Sequence, residues 1–240
     1  MLLRFKKLLK KIPIPLTKNH GYDLRTKRII KNYLHLNSNT IDVGCHKGEI
    51  LEIILNAAPD GRHWGLEPLP YLYEHLKLKF SDKNNIEILP VAATDREGFS
   101  DFNHVITNPA YSGLKKRDYD RANEKDEKIQ VKTQALDNLI PEVIHIDLIK
   151  IDVEGGEYQV LLGAQRIIKT FRPMIIFEHG LGSSEYYDST PDKVFNFFEE
   201  MDMHVSTLLS FIKRLKPFTE QEFEEQYYRR MNYYFIAYGK

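Results

Sequence analysis

The chain has 240 residues, of which 42% are hydrophobic and 28% are charged, so it is long enough for one α/β domain with a substantial core. Its 34 basic and 34 acidic side chains cancel, which argues against a strong sequence-independent grip on nucleic acid. The single cysteine, Cys45, excludes an internal disulfide and fits a reducing compartment, and no run of about 18 apolar residues is present to span a membrane. We therefore expect a cytoplasmic protein.

Residues 1–12 form a basic amphipathic segment with no signal-peptide cleavage site after it. Its apolar side chains recur at helical spacing, at Leu2, Phe5, Leu8, Leu9 and Ile12. Two interpretations stay open: a helix in weak contact with an anionic membrane surface, at the periphery of the inner membrane, or a helix that packs on the domain or frays. After Pro13 and Pro15, a second helical stretch completes an N-terminal helical segment over residues 1–38.

The stretch from Thr40 to Gly48, TIDVGCHKG, predicts a strand that runs through a glycine turn into a helix. Gly44 lets a ligand approach the backbone, and the N–H groups of the helix start attract negative charge. Asp42, at the carboxyl end of the strand, can bind an ammonium group. The pattern is typical of a site for a zwitterionic or nucleotide ligand at the end of a parallel sheet, although such turns also serve only as connections.

The second predicted strand, HWGLE, ends in an acid, Glu67, which lies 25 positions beyond Asp42. In doubly wound folds a carboxylate at this strand tip accepts both ribose hydroxyls of an adenosine. Because Pro68 and Pro70 follow, the alternative is a solvated acid before a turn; we favour ribose binding. A helix from Tyr71 to Phe80 and a third strand, IEILPVAA, come next.

The least regular part of the chain runs from about Ser100 to Thr133 and includes the charge run KKRDYDRANEKDEK. Its flanks, FSDFNHVI and KIQVKT, alternate as strands do and are predicted to pair as a hairpin. Long loops inside compact domains are often functional lids, so Tyr111 and Ser112 are candidates for substrate contact.

The remaining chain predicts four more strands, at Val143 to Asp152, in PMIIFEH, near His204 to Phe211 and near Asn232 to Tyr238. A helix with a core face from Val160 to Phe171 follows the fourth strand, and Thr190 is a good N-cap for another. The predicted fold is α/β, a doubly wound, mostly parallel seven-stranded sheet over residues 39–240, preceded by N-terminal helices.

Several predicted strands end in acids or a histidine, and parallel sheets bind ligands outside the carboxyl ends of their strands. Clustered carboxylates there need a reason, because ionised groups are costly to desolvate without partners. The side chains at these strand tips are Asp42, Glu67, Asp152 with Glu154, and Glu178 with His179.

With these motifs the sequence resembles the FkbM-like methyltransferases. The matching pieces run in order from Thr40 to His179: IDVGCHKGE, LEP, VAATDREG, YSGL, TQALDNL, IDLIKIDVEGGEYQVLLGA and PMIIFEH. The resemblance implies a Rossmann-like, class I, S-adenosylmethionine-dependent methyltransferase that methylates a hydroxyl oxygen of a sugar, glycan or other small molecule, with S-adenosylhomocysteine as the product. His46 stands where many methyltransferases outside this family have a middle glycine.

The resemblance also assigns cofactor contacts. The glycine turn holds the methionine end, Glu67 holds the ribose, and the loop around Ala92 and Ala93 borders the adenine. The full set expected to contact the cofactor is Asp42, Gly44, His46, Gly48, Glu67, Pro68, Ala92, Ala93 and Asp152. The acceptor is expected to meet Tyr111, Ser112 and Glu178, and Tyr186 and Tyr187 lie near the same mouth.

Removing a proton from a hydroxyl calls for a base within hydrogen-bond reach. We favour His179, because histidine titrates near working pH, over Asp152 and Glu154. A divalent metal held by Asp152, Glu154, Glu178 and His179 is a less favoured alternative.

Two other functions compete with methyl transfer. An NAD(P)-dependent Rossmann oxidoreductase or epimerase also pairs a glycine turn with a later acid, but it predicts G-x-G-x-x-G, which residues 44–48 do not provide. A non-catalytic cofactor-binding protein would keep the fold without the chemistry. The oligomeric state cannot be read from the sequence.

Overall fold

A computed structural model describes residues 17–119 and 123–240. The predicted membrane contact through residues 1–12 lies outside these ranges. Among the helices in the described ranges, none is both long enough and apolar enough to cross a membrane.

The helices are short and alternate with short strands. The helices are α1 (Lys18–Tyr33), α2 (Glu49–Ala57), α3 (Pro70–Lys79), α4 (Leu136–Leu139), α5 (Glu157–Leu162), α6 (Gln165–Phe171), α7 (Pro191–Glu200), α8 (Leu208–Ile212) and α9 (Glu220–Tyr228). The strands are β1 (Thr40–Val43), β2 (His63–Leu66), β3 (Ile86–Leu89), β4 (Val91–Ala93), β5 (Gly98–Val105), β6 (Asp126–Gln134), β7 (Leu148–Ile151), β8 (Met174–Glu178), β9 (Met203–Thr207) and β10 (Tyr234–Gly239). Two 3₁₀ turns span Pro109–Tyr111 and Ser184–Tyr187.

The larger sheet has seven strands in the described ranges, in the order β3-β2-β1-β7-β8-β10-β9. The first five are parallel, and β10 runs antiparallel to both β8 and β9. Every residue of β1, β2 and β7 is buried, as expected for central strands covered by helices on both faces. The predicted doubly wound, mostly parallel seven-stranded sheet is confirmed.

A second sheet of three strands, in the order β4-β6-β5, stands beside the first. β5 and β6 pair antiparallel from Gly98 opposite Thr133 to Val105 opposite Asp126, which confirms the predicted hairpin. The prediction of one continuous third strand is wrong. Pro90 cannot donate to a ladder, and it separates β3 in the large sheet from β4 in the small one.

Three other predicted elements are shorter than expected. The fourth strand begins at Leu148, and Val143 is 92% exposed. The helix that follows divides at Gly163, where a Cβ atom would lie 2.2 Å from the Thr94 carbonyl oxygen. The strand predicted near His204 to Phe211 is β9, which ends at Thr207. The Thr207 hydroxyl accepts a hydrogen bond from the Ser210 N–H and caps α8.

Alternate residues of the strands pack into two apolar layers, one on each face of the sheet. Ile149 and Ile151 of β7 belong to the larger layer, with β8 and the helices that follow it. Leu148 faces the other way and packs with α1 and α2, where Ile29 and Ile30 are fully buried. α1 is therefore part of the core that supports the sheet.

His179 follows β8 into the core. It is 1% exposed, and its ring lies 4.8 Å from the Tyr227 ring and 5.9 Å from the Phe223 ring, both on α9. Within the described ranges neither ring nitrogen has a hydrogen-bond partner. Burial lowers the pKa of His179 to about 3, because the charged form would lose its hydration.

This packing predicts an acid-dependent loss of stability. Histidine in the unfolded chain has a pKa of about 6.5. Between pH 6.5 and the folded pKa of about 3, the unfolded state binds a proton that the native state does not, so the free energy of unfolding falls by about 1.4 kcal/mol per pH unit. We expect His179→Leu to lack this slope, so the free energy of unfolding of the native protein should fall by about 1.4 kcal/mol relative to that of the variant between pH 7.5 and pH 5.5. Urea unfolding at both pH values measures it; an identical difference at both would contradict the assignment.

Candidate active site

A cavity of about 260 Å³ lies at the carboxyl ends of β1, β2, β4 and β7, close to the lower limit of small-molecule sites (about 300 Å³). Many of the predicted site residues line it: Gly44, His46, Glu67, Pro68, Ala92, Ala93, Ser112, Asp152 and Glu154. Others do not: Asp42, Gly48, Tyr111, Glu178 and His179.

The glycine turn after β1 is shaped by contacts within the chain. Gly44 has φ +73°, and a Cβ atom there would lie 2.0 Å from the carbonyl oxygen of Asp152. Gly48 has φ +70° and begins α2. His46 also has a left-handed backbone, with φ 48°, so the position without a glycine keeps the conformation that glycine favours.

Glu67 is held at the floor of the cavity by its neighbours' backbone. Its two carboxylate oxygens accept hydrogen bonds from the His46 N–H at 2.9 Å and the Leu69 N–H at 3.0 Å. The side chain is nearly inaccessible, and burial raises its pKa to about 7 against the lowering effect of those two bonds. The carboxylate is thus fixed in one orientation toward the cavity.

An apolar shelf adjoins Glu67. It is formed by Leu69 before α3, Ala92 and Ala93 of β4, and Phe102 of β5, all of them buried. The three-stranded sheet therefore supplies one wall of the cavity, and Ser112 belongs to the same wall. Its hydroxyl accepts a hydrogen bond from the Val105 N–H at 2.9 Å.

A buried cation, Lys150, lies between the tips of β1 and β7. Its ammonium is 3.5 Å from Asp42, its register partner on β1, and 3.2 Å from Asp152, and it also contacts the Gly44 carbonyl oxygen at 3.5 Å. Burial lowers the pKa of Lys150, but Asp152 and Asp42 outweigh that effect and raise it. The Tyr234 hydroxyl donates to Asp152 at 2.6 Å.

Asp42, which we expected to bind an ammonium group of the ligand, does not line the cavity. Asp42 is fully buried, and apart from Lys150 neither of its oxygens has a hydrogen-bond partner in the described ranges. Burial raises its pKa to about 6, while the Lys150 ammonium opposes the rise. Lys150, which does line the cavity, is the cation beside Asp42.

The VEGGE stretch after β7 forms a closed turn. One oxygen of Glu157 accepts the N–H groups of Val153 at 3.0 Å and Gly155 at 3.2 Å. Gly155 has φ +108° and packs on the Ser183 carbonyl. Glu154 has φ 61°, an uncommon conformation for a residue with a Cβ atom, and it places its side chain at the cavity.

Glu154 forms an ion pair with Arg117, from the segment that joins β5 to β6. The Arg117 guanidinium lies 4.5 Å from the centre of the Tyr111 ring, so Tyr111 supports Arg117 and does not line the cavity. Lys115 fastens this segment to the second 3₁₀ turn, since its N–H donates to the Tyr187 hydroxyl and its ammonium to the Tyr186 carbonyl, both at 2.8 Å.

Four carboxylates near this ion pair influence one another: those of Asp152, Glu154, Glu157 and Glu178. Burial raises the pKa of Glu154, Arg117 lowers it and Asp152 raises it again. The net pKa of Glu154 is about 8. Burial raises the pKa of Glu178 well above its ordinary value, reinforced by Glu154 and Asp152. Glu178 is half-buried at the end of β8 and outside the lining, so its predicted contact with an acceptor is not supported by this structure.

His179, the residue that we favoured as general base, also lies away from the cavity. Its ring stacks on α9 in the core and does not line the cavity, so a bound molecule would not reach it. A signal for this was present, because Phe177 and His179 share one face of β8 and Phe177 is fully buried.

Sequence reasoning missed several lining or supporting residues. Lys150 had a readable signal, a lone charge in the apolar run LIKI. The others carry no periodic signal, because distant segments bring them to the cavity: Tyr22, Asp23, Thr26 and Lys27 of α1, Arg117, and Tyr234 of β10.

Comparison with known proteins identifies the family and the fold. The model of the Methyltransferase FkbM domain family matches residues 42–207. The crystal structure of methyltransferase FkbM from Methylobacillus flagellatus KT superposes with a TM-score of 0.53 at 16% identity, covering 86% of this chain and 45% of that chain. The crystal structure of a putative rRNA methylase from Clostridium thermocellum superposes with a TM-score of 0.50 at 11% identity, covering 95% of this chain and 99% of that one.

No curated protein matches the sequence. The structural likenesses show the class I methyltransferase fold, and this chain spans less than half the length of the Methylobacillus protein. The family match extends over more than half of the chain and includes the glycine turn, Glu67 and the VEGGE turn. The chain therefore belongs to the FkbM methyltransferase family.

Proposed function

We propose that this protein transfers the methyl group of S-adenosylmethionine to a hydroxyl oxygen of a sugar, glycan or other small molecule. The observation that carries the proposal is that the tips of β1, β2 and β7 meet in one cavity, where Glu67 is fixed beside an apolar shelf. A carboxylate next to a shelf of alanine and phenylalanine suits a ribose joined to a flat base. Family membership supports S-adenosylmethionine as the cofactor.

The residues that would hold the cofactor follow from their positions in the lining. Glu67 would accept the ribose hydroxyls, and Ala92, Ala93 and Leu69 would lie against the adenine. Gly44, His46 and Asp152 complete the described surface on the side of β1 and β7, and Pro68 completes it after β2. Gly48 would act only through the backbone path of the turn.

The sulfonium of the bound cofactor supplies an electrophilic methyl group. The protein then has to orient the acceptor and take a proton from its hydroxyl. Glu154 is our candidate for the base, because it lines the cavity and burial raises its pKa to about 8, near working pH. Asp152 is a weaker base: burial raises its pKa, but Lys150 and the Tyr234 hydroxyl outweigh that effect and lower it.

The metal alternative has less support from geometry. Across residues 17–119 and 123–240, no three His, Cys, Asp or Glu side chains are arranged to hold an ion. A small-molecule or glycan acceptor is supported over nucleic acid by the zero formal net charge of the chain, and a cytoplasmic location is supported by the single cysteine, buried Cys45.

The first test is of the cofactor. Glu67→Gln replaces one of the two carboxylate oxygens that accept backbone N–H groups and removes the charge offered to the ribose, so we expect affinity for S-adenosylhomocysteine to fall about tenfold. Isothermal titration calorimetry measures it, with NAD as a negative ligand and Glu74→Gln, an exposed acid on α3, as the matched control. An unchanged Kd, or tighter binding of NAD, would remove Glu67 from this role.

The second test is of the base. We expect Glu154→Gln to bind S-adenosylhomocysteine normally but to lose methyl transfer by about a hundredfold or more, because general-base catalysis contributes that much. The native rate should fall as the pH drops below about 8, as Glu154 takes up a proton. The assay follows labelled methyl groups into extracted glycans and lipid-linked sugars, and exposed Glu142→Gln is the control. Full activity of Glu154→Gln would exclude it as the base.

A further inference from the structure

The acid at the tip of β1 already has a cation. The ammonium of Lys150 lies within 3.5 Å of Asp42, Asp152 and the Gly44 carbonyl oxygen, so the chain itself fills the place that a ligand's ammonium group would take. An amino acid bound beside the glycine turn must therefore find its ionic partners elsewhere in the cavity.

Most acids of the lining are engaged. Glu67 accepts two backbone N–H groups, Asp152 pairs with Lys150, and Glu154 pairs with Arg117. Asp23 of α1 differs, because within the described ranges its side chain has neither a hydrogen bond nor an ion pair. It is half-buried, whereas the remaining lining acid, Glu49, is exposed at the start of α2.

A free cation lies one helical turn further along α1. Lys27 is four residues after Asp23, so both side chains stand on the same face of the helix, and both line the cavity. Lys27 is also half-buried and, in the described part of the chain, forms no ion pair. α1 thus presents one negative and one positive group, the pattern that a zwitterion requires.

The helix that carries these two groups is a fixed wall. Tyr22 is 3% exposed, and its ring stacks on Tyr234 at 5.4 Å while its hydroxyl donates to Asn232 at 2.9 Å. Ile29 and Ile30 anchor the rest of α1 in the core. Asp23 and Lys27 are therefore held at defined positions beside the tips of β7 and β10.

We propose that α1 recognises the amino-acid end of the cofactor, with Asp23 accepting from its ammonium group and Lys27 donating to its carboxylate. This inference rests on the proposed function, since it takes S-adenosylmethionine as the ligand. α1 precedes the range matched by the family model, which starts at residue 42, so the two side chains lie outside the matched domain.

Calorimetry with three ligands tests each contact separately. S-Adenosylhomocysteine carries both charged groups, its decarboxylated analogue keeps only the ammonium, and 5′-methylthioadenosine has neither. We expect Asp23→Asn to weaken the first two by about tenfold, and Lys27→Met to weaken only the first by about tenfold. Neither variant should change 5′-methylthioadenosine binding by more than about twofold. Lys31→Met, at an exposed position of α1, is the control.

The outcomes separate the inference from the proposed function. Equal weakening of all three ligands would show that the variants disturb the site as a whole and would overturn the inference. Unchanged affinities in both variants, with normal binding by the native chain, would overturn it while leaving the methyltransferase proposal intact. If the native chain bound neither S-adenosylhomocysteine nor 5′-methylthioadenosine, the proposed function would fail and the inference with it.

Discussion

A single buried ammonium group connects the two central strands of the sheet to the cavity. Lys150 lies 3.5 Å from Asp42 and 3.2 Å from Asp152, which occupy the tips of β1 and β7. Two carboxylates at adjoining buried strand ends would repel each other and would be costly to desolvate, and the shared cation offsets both effects. The cost of breaking the cluster would be high, because removal of Lys150 leaves the fully buried Asp42 without a partner. The part of the cavity at the ends of β1 and β7 depends on this arrangement of Lys150, Asp42 and Asp152.

The cluster also divides the acids of the site by what they can do. Asp42 is fully buried beside Lys150 and does not line the cavity. Lys150 and the Tyr234 hydroxyl lower the pKa of Asp152 and so favour its charged form. One carboxylate oxygen of Glu157 accepts hydrogen bonds from two backbone N–H groups of its own turn. Glu154 is the acid of this group that both reaches the cavity and titrates near neutral pH. Its left-handed backbone, φ 61°, is maintained by the closed turn around it.

Much of the fold could be predicted from local patterns. Short apolar runs that end in acids marked β1, β2, β7 and β8, and the alternating flanks marked the β5–β6 hairpin. The same patterns could not show which acid faces a ligand. The register that places Lys150 opposite Asp42 decides that, and it is a property of two strands together. Likewise, no local pattern pairs Arg117 with Glu154, because the two residues are 37 positions apart in the sequence.

The wall formed by α1 and β10 joins parts of the chain that are distant in sequence. Tyr22 and Asn232, which bond to each other, are 210 positions apart. During synthesis the nascent chain can build the parallel strands and the glycine turn early, but this wall is missing until β10 leaves the ribosome. A ligand that contacts this wall adds stability only to states in which the wall has formed, since a ligand stabilises only a state that binds it. A molecule bound against α1 would thus stabilise together two segments that lie at opposite ends of the described chain.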